Sequence, residues 1–354
     1  FTEPSRVHDL RVEHVGVTSV NLTWSVSDAA SNYTYRIEVV NGTSVWNLTS
    51  SLTKIEITGL IPGTLYNFTV FAAVNDSQTE GEGESIPVYT KPSRVHDLKV
   101  EHVGVTSVNL TWSVSDAASN YTYRIEVVNG TSVWNLTSSL TKIEITGLIP
   151  GTLYNFTVFA AVNDSQTEGE GESIPVYTKP SRVHDLGAEH VGVTSVNLTW
   201  SVSDAASNYT YRIEVVNGTS VWNLTSSLTK IEITGLIPGT LYNFTVFAAV
   251  NDSQTEGEGE SIPVYTKPSR VHDLKAEYVG VTSVNLTWSV SDAASNYTYR
   301  IEVVNGTSVW NLTYTVNEVE ITGLIPGTLY NFTVFAAVND SQTEGEGESV
   351  PVYT

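Results

Sequence analysis

The hexapeptide SRVHDL recurs at Ser5, Ser93, Ser181 and Ser269, a constant step of 88 residues, and four near-identical copies fill the 354-residue chain. The first two copies differ only at Glu3/Lys91 and Arg11/Lys99. The third has Gly187-Ala188 where the second has Lys99-Val100. The fourth carries Tyr278 in place of His, and TYTVNEVEITG from Thr313 in place of TSSLTKIEITG. A period of 88 is too long for a solenoid unit of roughly 20–50 residues and suits one independent domain. The repeat therefore predicts residues 1–2 as the end of a preceding copy and domains at 3–90, 91–178, 179–266 and 267–354. Phe1-Thr2-Glu3-Pro4 aligns with Tyr89-Thr90-Lys91-Pro92, and the chain stops in the same phase at Tyr353-Thr354, so a window cut from a longer array is expected.

Within one copy, apolar and polar residues alternate with period two, the signature of half-buried strands. Val20, Leu22, Trp24 and Val26 alternate with Asn21, Thr23 and Ser25; Tyr33, Tyr35, Ile37 and Val39 with Thr34, Arg36 and Glu38; Tyr66, Phe68, Val70 and Ala72 with Asn67, Thr69 and Phe71. Ile55 and Ile57 form a shorter segment, and Leu10, Val12 and Val88 mark the ends. Turn signals stand at Asn41-Gly42, Pro62-Gly63 and Gly81-Glu82-Gly83, and no stretch has helical periodicity. Seven short strands punctuated about every ten residues predict an all-β, antiparallel sandwich. A two-residue turn at Asn41-Gly42 would pair Ile37 with Trp46 and Tyr35 with Leu48 and set Asn47 opposite Arg36. Directly opposed residues share a face, so Tyr35, Ile37, Trp46 and Leu48 are expected inward, with Trp46 in the core beside Ile37, and Asn47 outward. Trp24, Tyr35, Leu60 and Tyr66 are expected as structural core residues, with Ile37, Ile55, Phe68 and Val70 beside them.

The segment ITGLIPGTLYNFTVFAAVN, residues 57–75, resembles the E–F corner of a fibronectin type III domain: Leu60, Pro62, Gly63, Thr64 and Tyr66 match its L-x-P-G-T-x-Y pattern. The resemblance covers all four copies. It implies four tandem fibronectin type III, immunoglobulin-like β-sandwiches in a linear array. It also implies that Tyr66 is the tyrosine-corner residue, its hydroxyl tied to upstream backbone, and that Trp24 and Tyr35 are the aromatics of the second and third strands. The chain has no Cys, in keeping with a family that lacks the immunoglobulin inter-sheet disulfide. NLTW, NYTYRIEV, GLIPGTLYNFTVFA, TEGE and VYTKPS further resemble the ectodomain repeats of receptor-type tyrosine phosphatases of the eta-like group, which are arrays of heavily glycosylated type III repeats. The near-identity of the copies departs from the diverged arrays of such receptors.

Every copy carries six Asn-x-Ser/Thr triplets, none with Pro at the middle position. They are Asn21, Asn32, Asn41, Asn47, Asn67 and Asn75 in the first copy, and Asn109, Asn120, Asn129, Asn135, Asn155 and Asn163 in the second. The third has Asn197, Asn208, Asn217, Asn223, Asn243 and Asn251, and the fourth Asn285, Asn296, Asn305, Asn311, Asn331 and Asn339. The triplet alone is a weak motif, and Asn and Thr are common in strands and turns. Direction separates the two readings. Asn21, Asn47 and Asn67 fall on the outward parity of their strands, while Asn32, Asn41 and Asn75 fall at strand starts or turns. A glycan must remain in water, so it can stand only at such places. All twenty-four are expected acceptors if the chain enters a secretory pathway.

The net charge of −21 opposes binding to nucleic acid or an anionic membrane surface, which select basic faces. No apolar run approaches the roughly 20 residues of a membrane span. His8 and His14 lack further ligands at metal geometry and read as solvated strand-edge residues. The run Glu80-Gly81-Glu82-Gly83-Glu84 lacks the spaced Asp/Asn ligands of a calcium loop and reads as a mobile, solvated loop. No Gly-x-Ser-x-Gly elbow, phosphate loop or His-Glu-x-x-His occurs, so no catalytic, cofactor or metal site is expected. Arg-Gly-Asp is also absent. Covalent N-linked glycans are the only expected additions.

Copies are joined by Tyr89-Thr90-Lys91-Pro92-Ser93 without a Gly/Ser linker, and Pro92 stiffens the joint. Repeats of roughly 30–35 Å in line would span on the order of 130 Å. The expectation is an extracellular, non-enzymatic spacer and adhesion stalk, cell-surface or secreted. The partners expected are extracellular proteins, glycans or copies of itself; no nucleic acid and no direct membrane contact are expected in this segment. A glycan-coated fibre of near-identical repeats and an engineered concatemer remain open beside it.

Overall fold

The computed structural model describes residues 3–354 except 29–32, 75–78, 117–120, 163–166, 205–208, 251–254, 293–296 and 339–342, and except the Tyr278 side chain. The first repeat is built from β1 (Val7–Val15), β2 (Ser19–Val26), β3 (Tyr33–Asn41), β4 (Ser44–Ser50), β5 (Lys54–Thr58), β6 (Leu65–Val74) and β7 (Glu84–Tyr89). These strands form two antiparallel sheets, ordered β1-β2-β5 and β4-β3-β6-β7, and the other three repeats have the same arrangement. Among the described residues there is no helix. The chain forms two compact units, Phe1–Thr178 and Lys179–Thr354, each containing two sandwiches.

The core follows from the alternation. Val20, Leu22 and Trp24 from one sheet meet Tyr35, Ile37, Val39, Tyr66, Phe68, Val70 and Ala72 from the other, and all are buried. Trp24 lies edge-on to Tyr35, with ring centroids 5.3 Å apart at 66°. Leu60 caps this layer. The backbone N–H of Ile61 donates to the Tyr66 hydroxyl oxygen at 2.9 Å, so the phenol is the acceptor in the E–F corner. The same bond recurs at Tyr154, Tyr242 and Tyr330.

The β3–β4 hairpin departs from the expected register by two residues. Its turn is Gly42-Thr43, with Asn41 opposite Ser44, Val39 opposite Trp46 and Ile37 opposite Leu48. Gly42 adopts φ 55° while Asn41 stays in the strand. Glycine at the first central position is the type II′ solution; the expected turn would have needed positive φ at Asn41 as well. A two-residue slip keeps every side chain on its original face. Asn47 therefore still points outward, but opposite Glu38 rather than Arg36. Trp46 is not a core residue: it is 36% exposed and rests edge-on against Tyr66 at 6.0 Å. On an edge strand it is covered from one side only.

The glutamate-glycine run is not a mobile loop but a clasp. Glu80 bridges to Ala73 on β6, and the Gly81 N–H donates to the Ala72 carbonyl at 2.9 Å. The Glu82 carbonyl accepts from the Val7 N–H, and Glu84 Oε2 accepts from the Leu10 N–H at 2.9 Å. A Cβ on Gly81 would meet the Pro4 carbonyl, and one on Gly83 the Phe71 ring. The glycines admit close neighbours.

In the Phe1–Thr178 unit, the junction of its two repeats is fixed by the same corner. Thr90 is buried, donating from Oγ1 to the Ile61 carbonyl at 2.6 Å and accepting from the Thr64 N–H at 3.0 Å. The Lys91 N–H donates to the Gly16 carbonyl at 2.9 Å, and the Gly63 N–H to the Lys91 carbonyl at 3.1 Å. Gly63 has φ 57°, and a Cβ there would lie 2.3 Å from the Tyr121 ring of the second repeat. Gly239 stands in the same relation to Tyr297 in the other unit, whereas a Cβ on Gly327 in the last repeat meets nothing within 4 Å.

Two outcomes follow. Trp24→Ala is expected to cost about 3–5 kcal/mol and unfold its repeat, whereas Trp24→Phe costs less, because the phenyl ring keeps most of the buried apolar volume and the indole N–H has no acceptor to lose; chemical denaturation followed by the remaining tryptophans measures both. Gly327→Ala should cost only the left-handed backbone penalty of about 1–2 kcal/mol. Gly63→Ala and Gly239→Ala should cost more, since Tyr121 and Tyr297 must also move, and equal losses at all three sites would show that neither tyrosine contact is formed.

Candidate functional site

The sequon asparagines within the described residues occupy four stations per repeat. Asn21 is the third residue of the middle strand β2, between His14 on β1 and Glu56 on β5. Its neighbours Val20 and Leu22 are fully buried while Asn21 is half-buried, so it stands on the outer face. Asn41 ends β3 at the hairpin, half-buried. Asn67 on β6 has Val40 on one side and Pro87 on the other. Asn47 is the middle residue of the edge strand β4 and is exposed, as are Asn135, Asn223 and Asn311. The counterparts of Asn21 are Asn109, Asn197 and Asn285; those of Asn41 are Asn129, Asn217 and Asn305; those of Asn67 are Asn155, Asn243 and Asn331. Each is half-buried or exposed. Asn32, Asn75, Asn120, Asn163, Asn208, Asn251, Asn296 and Asn339 lie outside the described residues.

A side-chain cluster that the sequence reading missed orients Asn47. Arg36, central on β3, donates from Nε and Nη2 to the two carboxylate oxygens of Glu80, both at 2.6 Å. Its Nη1 donates to Asn47 Oδ1 at 2.8 Å. Its guanidinium lies 4.2 Å from the centroid of the Phe71 ring. The bidentate fork suits a planar guanidinium, and the ring face adds a cation–π contact. With Oδ1 held by Arg36, Nδ2, the atom through which an N-linked glycan would be joined, is left for solvent. The same four-residue cluster recurs around Arg124, Arg212 and Arg300. The available signal was Phe71, a large aromatic on the outward parity of β6 beside Asn67 and Thr69; the carboxylate partner of Arg36, Glu80, lies 44 residues away.

Other candidates stay apart. His8 Nδ1 lies 2.9 Å from Asp9 Oδ2 on the exposed face of β1, and His14 pairs across to Asn21. Among the described residues no three His, Asp or Glu side chains converge as a metal site requires, and no helix is long and apolar enough to cross a membrane.

The hydrogen bonds from Arg36 hold the Glu80 carboxyl below the usual carboxylate range. A carboxylate whose folded pKa is depressed stabilises the fold above its unfolded value of about 4.3. That stabilisation is lost as pH falls through the folded value. Glu80→Gln should therefore destabilise the first repeat by about 1–2 kcal/mol at neutral pH, and the gap to wild type should shrink below pH about 4. Thermal melts across this range check it; a gap independent of pH would show that the ion pair contributes nothing.

A family model described as fibronectin type III domain matches residues 4–91, 90–179, 178–267 and 266–354. The chain is 65% identical over 356 residues to the receptor-type tyrosine-protein phosphatase eta of Gallus gallus, covering 99% of this chain and 25% of that protein. It is 34% identical over 348 residues to the receptor-type tyrosine-protein phosphatase eta of Homo sapiens, covering 96% and 25%. Similarity extends to the tenascin of Gallus gallus, 25% identical over 88% of this chain and 18% of that protein. Among solved structures, a two fibronectin type III domain segment from chicken tenascin aligns at 21% identity with a TM-score of 0.38, over 50% of this chain and all of that one. The chain spans about a quarter of the length of the phosphatase eta relatives. With the corner residues and the sheet order on one pattern and the family model matching four times, the chain belongs to the fibronectin type III domain family, as four tandem copies.

Proposed function

We propose that this chain is a non-enzymatic, N-glycosylated extracellular segment, a spacer and adhesion stalk of the kind found in a receptor-type tyrosine phosphatase ectodomain. The observation that carries this reading is the likeness to the phosphatase eta of Gallus gallus along 99% of the chain. The outward parity of the sequon asparagines supports it, since a folded sandwich can carry glycans there without opening its core. The clasped junctions support a spacing role, because Thr90 and Lys91 are bonded into the corner and do not act as a loose tether. The acidic balance suits a segment that repels its neighbours and takes protein or glycan partners rather than nucleic acid.

The near-identity of the first two copies favours a second reading, a structural fibre in which the repeat itself is the working unit. Both readings require glycans. Chain secreted from eukaryotic cells should lose mass on amidase treatment, with Asp appearing at each formerly occupied Asn. An unchanged mass would sink both.

A further inference from the structure

The edges of each sandwich are unequally protected. An unpaired sheet edge is a template for another strand, and proteins blunt such edges with proline, bulges, charge or short length. In the first repeat, β7 carries Pro87. β1 is broken by two register shifts, with Asp9 at φ 57°. β5 has five residues, two of them Lys54 and Glu56. β4 has none of these devices. It pairs with β3 at all seven positions without a shift. Its sequence SVWNLTS holds no charge and no proline, and Val45 and Trp46 are 57% and 36% exposed. An uncharged, β-prone strand of this kind is a hazard when left open, and the chain presents it four times.

Asn47 is the central residue of that strand. If β4 added to β4 of a second copy, the self-complementary arrangement would be antiparallel about a two-fold axis. Centred on the strand, it sets Asn47 opposite Asn47 and Trp46 opposite Leu48. Directly opposed residues share a face, with Cβ atoms about 4.5–5.5 Å apart. Two glycan-bearing side chains cannot occupy that space, and Arg36 holds each Asn47 amide in place at 2.8 Å. We infer that the glycan on Asn47, and those on Asn135, Asn223 and Asn311, guard the open β4 edges, and that without them β4 of one chain pairs with β4 of a second copy. The inference rests on the glycosylated reading above and gives one class of glycan a specific task. Asn67 supplies the contrast: β6 is paired on both sides, so a glycan there covers no open edge.

The test uses the full chain secreted from eukaryotic cells, with glycan occupancy at Asn47 read by peptide mass and oligomeric state by light scattering over a concentration series. Replacing Asn47, Asn135, Asn223 and Asn311 by Gln should at least double the weight-average mass at the upper concentrations. Thr49→Ala and its three equivalents abolish the sequon but keep Asn47 for Arg36, and should behave alike. Adding Val45→Lys and its equivalents should return either set to monomer. Replacing Asn67, Asn155, Asn243 and Asn331 by Gln removes as many glycans and should leave the chain monomeric. Monomeric Thr49→Ala variants from a wild type glycosylated at Asn47 overturn the edge guard alone, as does equal association of the Asn67 set. A bare Asn47 in the wild type overturns it together with the glycosylated reading at that site.

Discussion

Ile61 uses both of its backbone polar groups on the same corner. Its N–H goes to the Tyr66 hydroxyl and its carbonyl receives the Thr90 hydroxyl. Tyr66 is fully buried beside Phe68 and under Trp46, so the first bond anchors the E–F connection to the core. The second anchors the exit of β7 to that connection. In a sandwich without disulfides, these two bonds join what would otherwise be separable parts: the core, the loop and the chain leaving the repeat. Backbone groups that lose water must find partners, and here the partners of the part-sheltered Ile61 groups also set the path into the next domain.

Arg36 plays the complementary part on the outer face. Its fork to Glu80 closes the β6–β7 connection over the sheet, and its remaining donor reaches the edge strand. Side-chain exposures of 27% and 30% place the pair in partial shelter, where screening is weaker than for a fully exposed pair. Arg6–Glu82, at 60% and 70% exposure, is the ordinary surface pair that contributes little. The long Glu-Gly run is thus divided in role. Glu80 and Glu84 bond inward, the glycines allow close approach, and Glu82 faces water.

The period-two alternation made the sandwich and most of the core legible, because burial on one face of a strand leaves a direct imprint on sequence. Trp24, Tyr35, Leu60 and Tyr66 are all buried. The hairpin register was less legible, because shifts by two conserve that imprint: Ile37 faces inward whether it meets Trp46 or Leu48. Only the turn geometry decides, and Gly42 alone carries the positive φ. The clasp was misread because glycine has two uses, freedom and absence of a side chain. Composition suggests the first, while the Phe71 ring beside Gly83 and the Pro4 carbonyl beside Gly81 show the second. Contacts 44 or 74 residues apart, such as Arg36–Glu80 and Leu10–Glu84, leave no local periodicity to read.

Near-identity of the repeats sharpens a problem that diverged arrays avoid. Where neighbouring domains share a sequence, any strand that can pair with its own copy has many partners at high local concentration, and swapping or misassembly between like domains is the typical failure of such chains. Divergence would remove the complementarity, but here β4 keeps SVWNLT unchanged in all four repeats. Even the fourth repeat, altered nearby from Tyr314 to Val319, retains it. Long-range charge repulsion from a net −21 is weak protection at strand-pairing distance, because it is screened within about 8 Å at physiological salt and β4 itself is uncharged. On the proposed reading, a glycan at the centre of the strand would act at the range where pairing occurs, and copying the repeat copies its Asn-Leu-Thr sequon with it.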